Sequence, residues 1–293
     1  MTAYLILAFK NPSQLARLVS RLNSRNATIF IHIDKKIDIS TFLFISRFQN
    51  VRFLSNRFKI VWGGYSITEC IISGMKEILE EGNYTHIVSM SGQDYPIRPV
   101  YQFEELLADN KDCSFMHTEQ KTPASNWWKY AVQRYTYYYL SDFDFRGKRF
   151  LHKIGRKILP KRNFLYPHYK LFGGPGSTFC ALSREACEYI VSFMEGNKMG
   201  RNFVKYTFAS DEFWFQTILM NSSLRFKVIN SQLWYMEWDG SSKHPRILTI
   251  MDYGKIISSG LYFARKFDVL KDDLIIDQLD VVLSQKLKLK ASS

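Results

Sequence analysis

The chain has 293 residues, of which 46% are hydrophobic and 23% are charged, as in a globular protein of one large or two small domains. Its net charge of +13 is compatible with nucleic acid, an anionic membrane surface or a phosphate-bearing substrate as partner. No stretch approaches the roughly 20 apolar residues that a membrane-spanning helix requires, so we expect a soluble or peripheral protein.

The apolar run at 1–9 is short, has no basic leader and ends at Lys10. We interpret it as a buried strand rather than a signal peptide. The four cysteines lie far apart and show no metal-type spacing; they are Cys70, Cys113, Cys180 and Cys187. Without a framework of paired cysteines, we expect a reducing, cytoplasmic compartment.

Strand and helix patterns alternate along the first half of the chain. Strands are predicted at 4–9, 28–33, 51–54, 86–90 and 113–117, and helices at 11–22, 66–79 and 100–108. This order predicts an α/β fold with a largely parallel sheet and helices on both faces. Ligands of such sheets bind beyond the C-terminal strand ends, which here carry Asp34, Gly63, Gly64, Asp94 and Glu119.

The middle of the chain, about residues 120–170, is aromatic and basic with weak periodicity, which indicates an insertion or a flexible lobe over the sheet. Its stretch 146–170 holds nine basic residues: Arg146, Lys148, Arg149, Lys153, Arg156, Lys157, Lys161, Arg162 and Lys170. Apolar side chains are interleaved with them. Two interpretations stay open, an amphipathic segment on an anionic membrane surface, or a solvated helix face or loop.

Regular patterns resume after a glycine-rich segment at 173–177. They predict a strand at 178–182, a helix at 183–194, a second strand at 225–229 and one or two helices after Lys271. We expect residues 1–270 to form one catalytic domain that includes the insertion, and residues 271–293 to form a helical tail.

Glu212 lies in an otherwise apolar segment that Ser210 could cap as the first residue of a helix. A helix that is apolar all round is buried, and a carboxylate placed where water is scarce suits a general base. The alternative is a capped core helix in which Asp211 and Glu212 merely complement the helix dipole.

Six short motifs follow one another along the chain. They are IHIDK at 31–35, WGGYS at 62–66, SGQDYPI at 91–97, GS at 176–177, SDE at 210–212 and FARKFD at 263–268. This ordered set resembles the core-2/I-branching β-1,6-N-acetylglucosaminyltransferases and the peptide O-xylosyltransferases, which share glycosyltransferase family 14. The resemblance implies a GT-A-like, Rossmann-type fold that binds a nucleotide sugar, inversion at the anomeric carbon, and Glu212 as the catalytic base. Asp211 is the weaker candidate base.

The chain also departs from the animal members of that family. It lacks their membrane anchor and lumenal disulfides, so we expect a bacterial, cytoplasmic member. Thr178 and Phe179 stand where many relatives carry a bulkier aromatic pair, which bears on the acceptor rather than on the chemistry.

The resemblance further implies that basic side chains, rather than a metal, neutralise the departing diphosphate, so no cofactor is expected. Lys266 occupies the matching motif and Arg246 lies upstream as its candidate partner, with Lys243 and Arg265 as possible substitutes. A cationic pair can stabilise departing phosphate charge much as a metal does.

A metal-dependent xylosyl- or hexosyltransferase is the alternative within the same fold. The chain has one literal Asp-x-Asp match, formed by Asp142 and Asp144. Because it lies in the insertion and not after a Rossmann-type strand, we interpret it as incidental and expect no metal site.

For the nucleotide, Asp34 and Asp94 could accept hydrogen bonds from uracil or ribose, with backbone groups near Ala8. Gly63 and Gly64 would allow the chain to approach the donor closely.

For the acceptor, aromatic faces suit the apolar face of a sugar, and charged groups suit its hydroxyls. The candidates are Glu119, Trp128, Lys129, Arg134, Trp234 and Trp238. By resemblance, Glu119 matches the acceptor-binding glutamate of the family. The alternative, aromatics that only fill a core, stays open for both tryptophan clusters.

Together these features predict transfer of a sugar, best matched by GlcNAc, from a UDP donor to a hydroxyl of a surface glycan. A lipid-linked acceptor would place the protein on the inner face of an anionic membrane. A basic nucleic-acid-binding protein is the alternative from another class, but no recognised nucleic-acid motif is present and we expect no such partner.

Overall fold

The computed structural model describes residues 1–143, 145–240 and 244–292. The strands are β1 (Thr2–Ala8), β2 (Ala27–Ile33), β3 (Val51–Phe53), β4 (His86–Ser91), β5 (Asp94–Pro96), β6 (Ser114–Met116), β7 (Glu119–Gln120), β8 (Phe172–Gly173), β9 (Ala181–Ser183), β10 (Val228–Asn230), β11 (Trp234–Met236) and β12 (Phe263–Arg265). The α-helices are α1 (Pro12–Leu22), α2 (Tyr65–Glu81), α3 (Val100–Asp109), α4 (Asn126–Ala131), α5 (Gln133–Thr136), α6 (Lys148–Ile158), α7 (Arg184–Gly196), α8 (Lys198–Lys205), α9 (Trp214–Met220), α10 (Tyr253–Ser258) and α11 (Leu274–Ser292). Short 3-10 helices lie at Ile39–Arg47, Ser210–Glu212, Ser223–Lys227 and Ile250–Asp252.

The central sheet has the strand order β10-β6-β9-β4-β1-β2-β3. Strands β3, β2, β1 and β4 run parallel, β9 runs antiparallel to both β4 and β6, and β10 is parallel to β6. This mostly parallel sheet between helices confirms the predicted α/β, GT-A-like Rossmann-type fold. The predicted strand at 225–229 is shifted, since Ser223–Lys227 forms a 3-10 helix and β10 follows it.

Both faces of the sheet are covered, which explains the continuous apolar runs of its inner strands. Along β1, Tyr4 and Ile6 face one core cluster, and Ala3 and Leu5 face the other. In α1, Pro12 occupies the first turn, where a missing N–H costs nothing. The buried positions of α1 recur with the helical period, so its apolar stripe packs on the sheet; they include Leu15, Leu18, Val19 and Leu22.

A second sheet, ordered β11-β12-β5, lies beside the first. Its strands are three residues long, too short for a periodic pattern, and were not predicted. Antiparallel pairing of β12 with β5 sets Arg265 opposite Asp94. The register of this small sheet therefore brings two predicted site residues together.

The C-terminal helix α11 packs on α1. Ile275, Ile276 and Leu279 belong to the same buried cluster as the apolar stripe of α1. Across the contact, Arg17 and Asp280 form an ion pair at 2.7 Å. The predicted helical tail after Lys271 is thus a helix that contributes to the core.

The middle segment, 120–170, is tied to the sheet layer at two points. Ser66 at the start of α2 donates to Asp142 from its hydroxyl at 2.6 Å and from its backbone N–H at 3.2 Å. Arg162 donates to the backbone carbonyls of Tyr206 at 2.9 Å and Phe203 at 2.7 Å. These contacts hold the segment over the edge of the sheet where the polar strand ends lie.

In the described part of the chain, no helix is both long enough and apolar enough to cross a bilayer. The four cysteines are free thiols.

Candidate active site

The candidate site forms where the parallel strands end. The ends of β1, β2 and β4 meet at one edge of the sheet, and the antiparallel β9 begins at the same edge. This geometry collects the segments after Ala8, Ile33 and Ser91, together with the loop that precedes β9, as expected for an open α/β sheet.

Glu212 lies in a tight turn rather than in the predicted continuous helix. Ala209 has a left-handed backbone with φ of 46°, Ser210–Glu212 is a 3-10 helix, and α9 begins only at Trp214. The predicted capping by Ser210 is wrong, because its hydroxyl instead makes a buried hydrogen bond of 2.7 Å with the hydroxyl of Thr68.

The glycine-rich loop before β9 holds Glu212 in place. The backbone carbonyl of Glu212 accepts hydrogen bonds from Gly174 N–H at 3.1 Å and from the Ser177 hydroxyl at 2.6 Å. Its side-chain Oε1 accepts from Gly176 N–H at 3.2 Å. At Gly173 a Cβ would lie 2.7 Å from the Glu212 carbonyl oxygen, so only glycine permits this close approach.

The other carboxylate oxygen of Glu212, Oε2, accepts a hydrogen bond from Nη1 of Arg134 in the middle segment. The Arg134 guanidinium lies 5.0 Å from the ring centre of Trp127. The Glu212 side chain stays 23% exposed, although the neighbouring Phe213 and Trp214 are buried. Arg134, predicted as an acceptor contact, therefore orients the candidate base, and the carboxylate remains open to a substrate.

Asp211 is enclosed and cannot meet a substrate directly. It is 6% exposed, and its Oδ2 accepts a hydrogen bond of 2.6 Å from the Thr178 hydroxyl. Its Oδ1 has no hydrogen-bond partner among the described residues. Burial and the adjacent Glu212 charge raise the pKa of Asp211 to about 6.

Lys266 is a half-buried cation, and within the described ranges its ammonium group has no hydrogen-bond or ion-pair partner. Burial, together with the positive charges of Arg265 and Lys10, lowers the pKa of Lys266. Lys10 was not predicted; it lies just after β1, and its ammonium forms an ion pair with Asp268 at 2.7 Å. The end of β12 and the end of β1 therefore share one positive region.

Arg265 is held by Asp94 at the start of the small sheet. The Nε of Arg265 lies 3.1 Å from Oδ1 of Asp94, and its guanidinium lies 3.7 Å from the ring centre of Phe179. Asp94 is fully buried, and besides this ion pair it accepts hydrogen bonds from the Ser91 hydroxyl at 2.8 Å and Trp234 Nε1 at 3.1 Å. Burial lowers the pKa of Arg265, against the pull of nearby carboxylates. Nucleotide binding by Asp94 stays a prediction, and its present partners are protein groups.

Arg246, the predicted partner of Lys266, is neutralised. It donates to Asp252 Oδ2 at 2.8 Å and also contacts Glu237. The hydrogen bonds from Arg246 lower the pKa of Asp252 to about 2. Lys243 lies outside the described residues.

Two further nucleotide candidates, Ala8 and Asp34, are adjacent at the strand ends. The Ala8 carbonyl accepts a hydrogen bond of 2.9 Å from the backbone N–H of Asp34. The Asp34 carboxylate is 4% exposed, accepts from Lys36 N–H at 2.9 Å and pairs with the Lys36 ammonium at 3.2 Å.

Gly63 and Gly64 are required by packing. A Cβ at Gly63, which has φ of 70°, would collide with the Phe208 ring, and one at Gly64 would collide with the Asp142 carboxylate. Their predicted role in donor approach stays a prediction. For the metal-dependent alternative, Asp142 is engaged by Ser66, and Asp144 lies outside the described residues.

The acceptor candidates separate into buried and accessible side chains. Trp128 and Trp234 are each 1% exposed and belong to the core, whereas Trp238 is 37% exposed. Glu119 lies just before the middle segment and accepts a hydrogen bond from Ser125. Lys129 lies on the middle segment, is exposed and donates to Asn126 at 3.1 Å. Trp238 lines a groove of about 290 Å³ with, among others, His117, Pro175 and Met236.

Comparison with known proteins gives the following relationships. Residues 2–257 match the family model described as Core-2/I-Branching enzyme. Xylosyltransferase 1 of Rattus norvegicus is 24% identical over 92% of this chain and 34% of its own length. Xylosyltransferase sqv-6 of Caenorhabditis elegans is 23% identical over 95% of this chain and 35% of its own length. The chain thus spans about a third of the length of the curated relatives it matches.

Among solved structures, HddC from Yersinia pseudotuberculosis is similar with a TM-score of 0.32 and 16% identity, over 64% of this chain and 79% of that chain.

Proposed function

Because the chain belongs to the Core-2/I-branching enzyme family, we propose that it is an inverting glycosyltransferase that moves GlcNAc from a UDP donor to a hydroxyl of a glycan acceptor. The acceptor class that we propose is a bacterial surface polysaccharide or lipopolysaccharide, built on the cytoplasmic side of the membrane.

The Glu212 carboxylate is the observation that supports this reaction most strongly. A general base must be fixed in position and within hydrogen-bond reach of the proton that it removes. Gly176 N–H and Arg134 fix the two carboxylate oxygens of Glu212, and the side chain is still 23% exposed. Of the two adjacent carboxylates, Asp211 is enclosed and Glu212 is accessible, which fits one direct displacement with inversion.

The leaving diphosphate needs positive charge close to its oxygens. The proposed binder is Lys266, whose ammonium is not engaged by the described carboxylates, with Lys10 nearby and Arg265 held by Asp94 behind it. Fixed cations in a partly dehydrated cleft stabilise developing negative charge without reorganisation during the reaction. This arrangement supports a metal-independent mechanism, in which Arg246 has a structural role.

The groove beside Trp238 is the proposed acceptor position. It is lined by an exposed aromatic face and by Pro175, next to the loop that holds Glu212. An aromatic face packs well against the apolar side of a sugar ring. A second donor, UDP-xylose, is favoured by the similarity to proteins named xylosyltransferases.

The test is transfer from a panel of UDP-sugars by Glu212→Gln. Glutamine preserves the size of the side chain and one of its two accepted hydrogen bonds. Its amide cannot take the proton of an attacking hydroxyl, so transfer should fall by about 100-fold to 10,000-fold. UDP affinity, measured by calorimetry, should change by less than about threefold, because the proposed diphosphate contacts are made by basic residues and not by Glu212.

The matched control is Glu188→Gln, an exposed glutamate paired with Arg184 on α7, which should retain full transfer. Transfer should also survive EDTA. Normal turnover by Glu212→Gln would remove the base assignment, and activity abolished by EDTA and restored by a divalent cation would favour the metal-dependent alternative.

A further inference from the structure

Helix α6 sits on the protein in an inverted orientation. The side that contacts the rest of the chain is polar: the His152 ring lies 4.9 Å from the ring of Tyr139, and the Arg156 guanidinium lies 4.2 Å from the ring centre of Tyr137. Amphipathic surface helices of globular proteins normally turn their apolar side inward. Here a half-buried histidine takes the inward position, and an exposed arginine beside it lies against a tyrosine ring.

The opposite side of α6 is apolar and largely exposed, with Ile154 half-buried. Positions 150, 151, 154 and 158 share one side of a helix with 3.6 residues per turn. Phe150 is 65% exposed, Leu151 49% and Ile158 72%, and Leu159 after the helix is 46% exposed. A contiguous exposed apolar patch on a polar scaffold marks an interaction surface.

The charged residues of this part of the chain are of one sign. From residue 145 to residue 184 the sequence contains no Asp or Glu. Lys153, Lys157 and Lys161 are exposed beside the apolar side chains. A surface that combines large apolar groups with unopposed lysines is complementary to an interface that is both apolar and anionic.

We propose that residues 145–161 bind the surface of an anionic lipid bilayer, with the apolar side of α6 in the headgroup boundary and the lysines on lipid phosphates. A second copy of this chain is a poor partner for this surface, because the lysines around its own α6 would repel the lysines here. The proposal stands independently of the reaction proposed above, since it rests on the exposed face of α6 alone.

This surface adjoins the candidate base. Arg156 of α6 donates to the side chain of Gln133 at 3.3 Å, and the next residue, Arg134, pairs with Glu212. Membrane docking through α6 would therefore bring the cleft close to substrates carried by lipid.

The experiment is flotation of the purified chain with vesicles of phosphatidylcholine alone or with about 30% phosphatidylglycerol, at about 0.1 M salt. Binding is expected to the anionic vesicles and should be lost at about 0.5 M salt, because lipid-phosphate contacts are screened. Equal binding to neutral vesicles, or none to either, would overturn the proposal.

Two variants separate the charge from the apolar patch. The triple change Lys153→Gln, Lys157→Gln and Lys161→Gln should weaken binding by roughly 100-fold, since each cation near such a surface contributes about fivefold. The double change Phe150→Ser and Ile158→Ser should weaken it by at least about tenfold through lost apolar burial.

Matched controls use exposed residues that lie outside the 145–161 segment. Changing Lys111, Lys198 and Lys271 to Gln, or Phe226 and Met251 to Ser, should leave vesicle binding unchanged. Equal loss in these controls would overturn the proposal, as would a dimer in analytical ultracentrifugation that Phe150→Ser dissociates. Sugar transfer to a free glycan should be unaffected by the α6 variants, so vesicle binding without any transfer would count against the reaction and not against this surface.

Discussion

Asp211 and Asp252 are almost equally shielded from solvent, at 6% and 4% exposure. Their pKa values are nevertheless shifted in opposite directions. Asp252 is held by Arg246 and by backbone hydrogen bonds, which lower its pKa to about 2. Burial and the negative charge of the neighbouring Glu212 both disfavour the ionised form of Asp211, and they raise its pKa to about 6. Asp252 belongs to a structural network in which partners neutralise the charges. Asp211 belongs to a region in which its charge is left uncompensated.

The cations of the two regions follow the same division. Arg246 is shared by two carboxylates, whereas Lys266 is half-buried beside Arg265 and its pKa is lowered. Uncompensated charge is costly to a fold and is retained where a ligand will supply the missing partner. The contrast supports the proposal that Glu212 and Lys266 belong to the reactive side, and it can be tested residue by residue.

The largest expected difference is in donor binding. Lys266→Ala should weaken UDP affinity by about 10-fold to 100-fold, the value of a charge-assisted hydrogen bond in a partly buried site. Arg246→Ala should change it by less than about threefold, because its guanidinium is already occupied. Calorimetry on both folded variants makes the comparison, and the opposite ranking would break the division between the two regions.

The second largest expected effect is on the free energy of unfolding, through the ion pair of Arg246 with Asp252. Asp252→Asn should lower the free energy of unfolding by about 2 kcal/mol at neutral pH, the equivalent of its pKa shift. Since the folded pKa is depressed, this contribution is present above about pH 4 and is lost as the pH falls toward 2. Urea unfolding at pH 7 and at about pH 2.5 measures it, with exposed Asp109→Asn as the control. A loss of equal size at both pH values would mean that the ion pair is not its source.

The smallest expected effect is an increase in stability, opposite in sign to that of Asp252→Asn, and it concerns Asp211. The folded pKa of Asp211 is raised, so its ionised form destabilises the fold increasingly as the pH rises from about 4 to about 6. Asp211→Asn should therefore stabilise the protein by about 1 kcal/mol at pH 8, after allowance for the altered hydrogen bond with Thr178, and should give no gain near pH 4. Urea unfolding of this variant at pH 8 and pH 4 detects the difference. Destabilisation at pH 8 would show that Asp211 is fully compensated in the folded state.

Local patterns were enough to predict the frame of the sheet. Strands β1, β2 and β4 are long apolar runs between turn residues, and helix α1 has a clear period, so their positions were confirmed within one or two residues. The strand ends and the order of the short motifs then located the candidate site.

Features that depend on distant partners could not be predicted. Arg134 and Glu212 are 78 positions apart in the sequence, and no local pattern links them. The short strands β5, β11 and β12 have no period, yet their register pairs Asp94 with Arg265. The composition of α6 was evident, but only the packing of His152 and Arg156 shows that its apolar side faces outward.

The link between Arg134 and Glu212 also limits how segments can be exchanged among relatives. The stretch 120–170 is an obvious cassette to transplant when a new acceptor preference is wanted, because it covers the cleft and is continuous in the chain. Arg134 would travel with that cassette. A replacement without an arginine there would leave the Glu212 carboxylate with Gly176 N–H as its remaining hydrogen-bond donor among the described residues. Recombination boundaries placed after Thr136 would keep the pair together while the remainder of the cassette is varied.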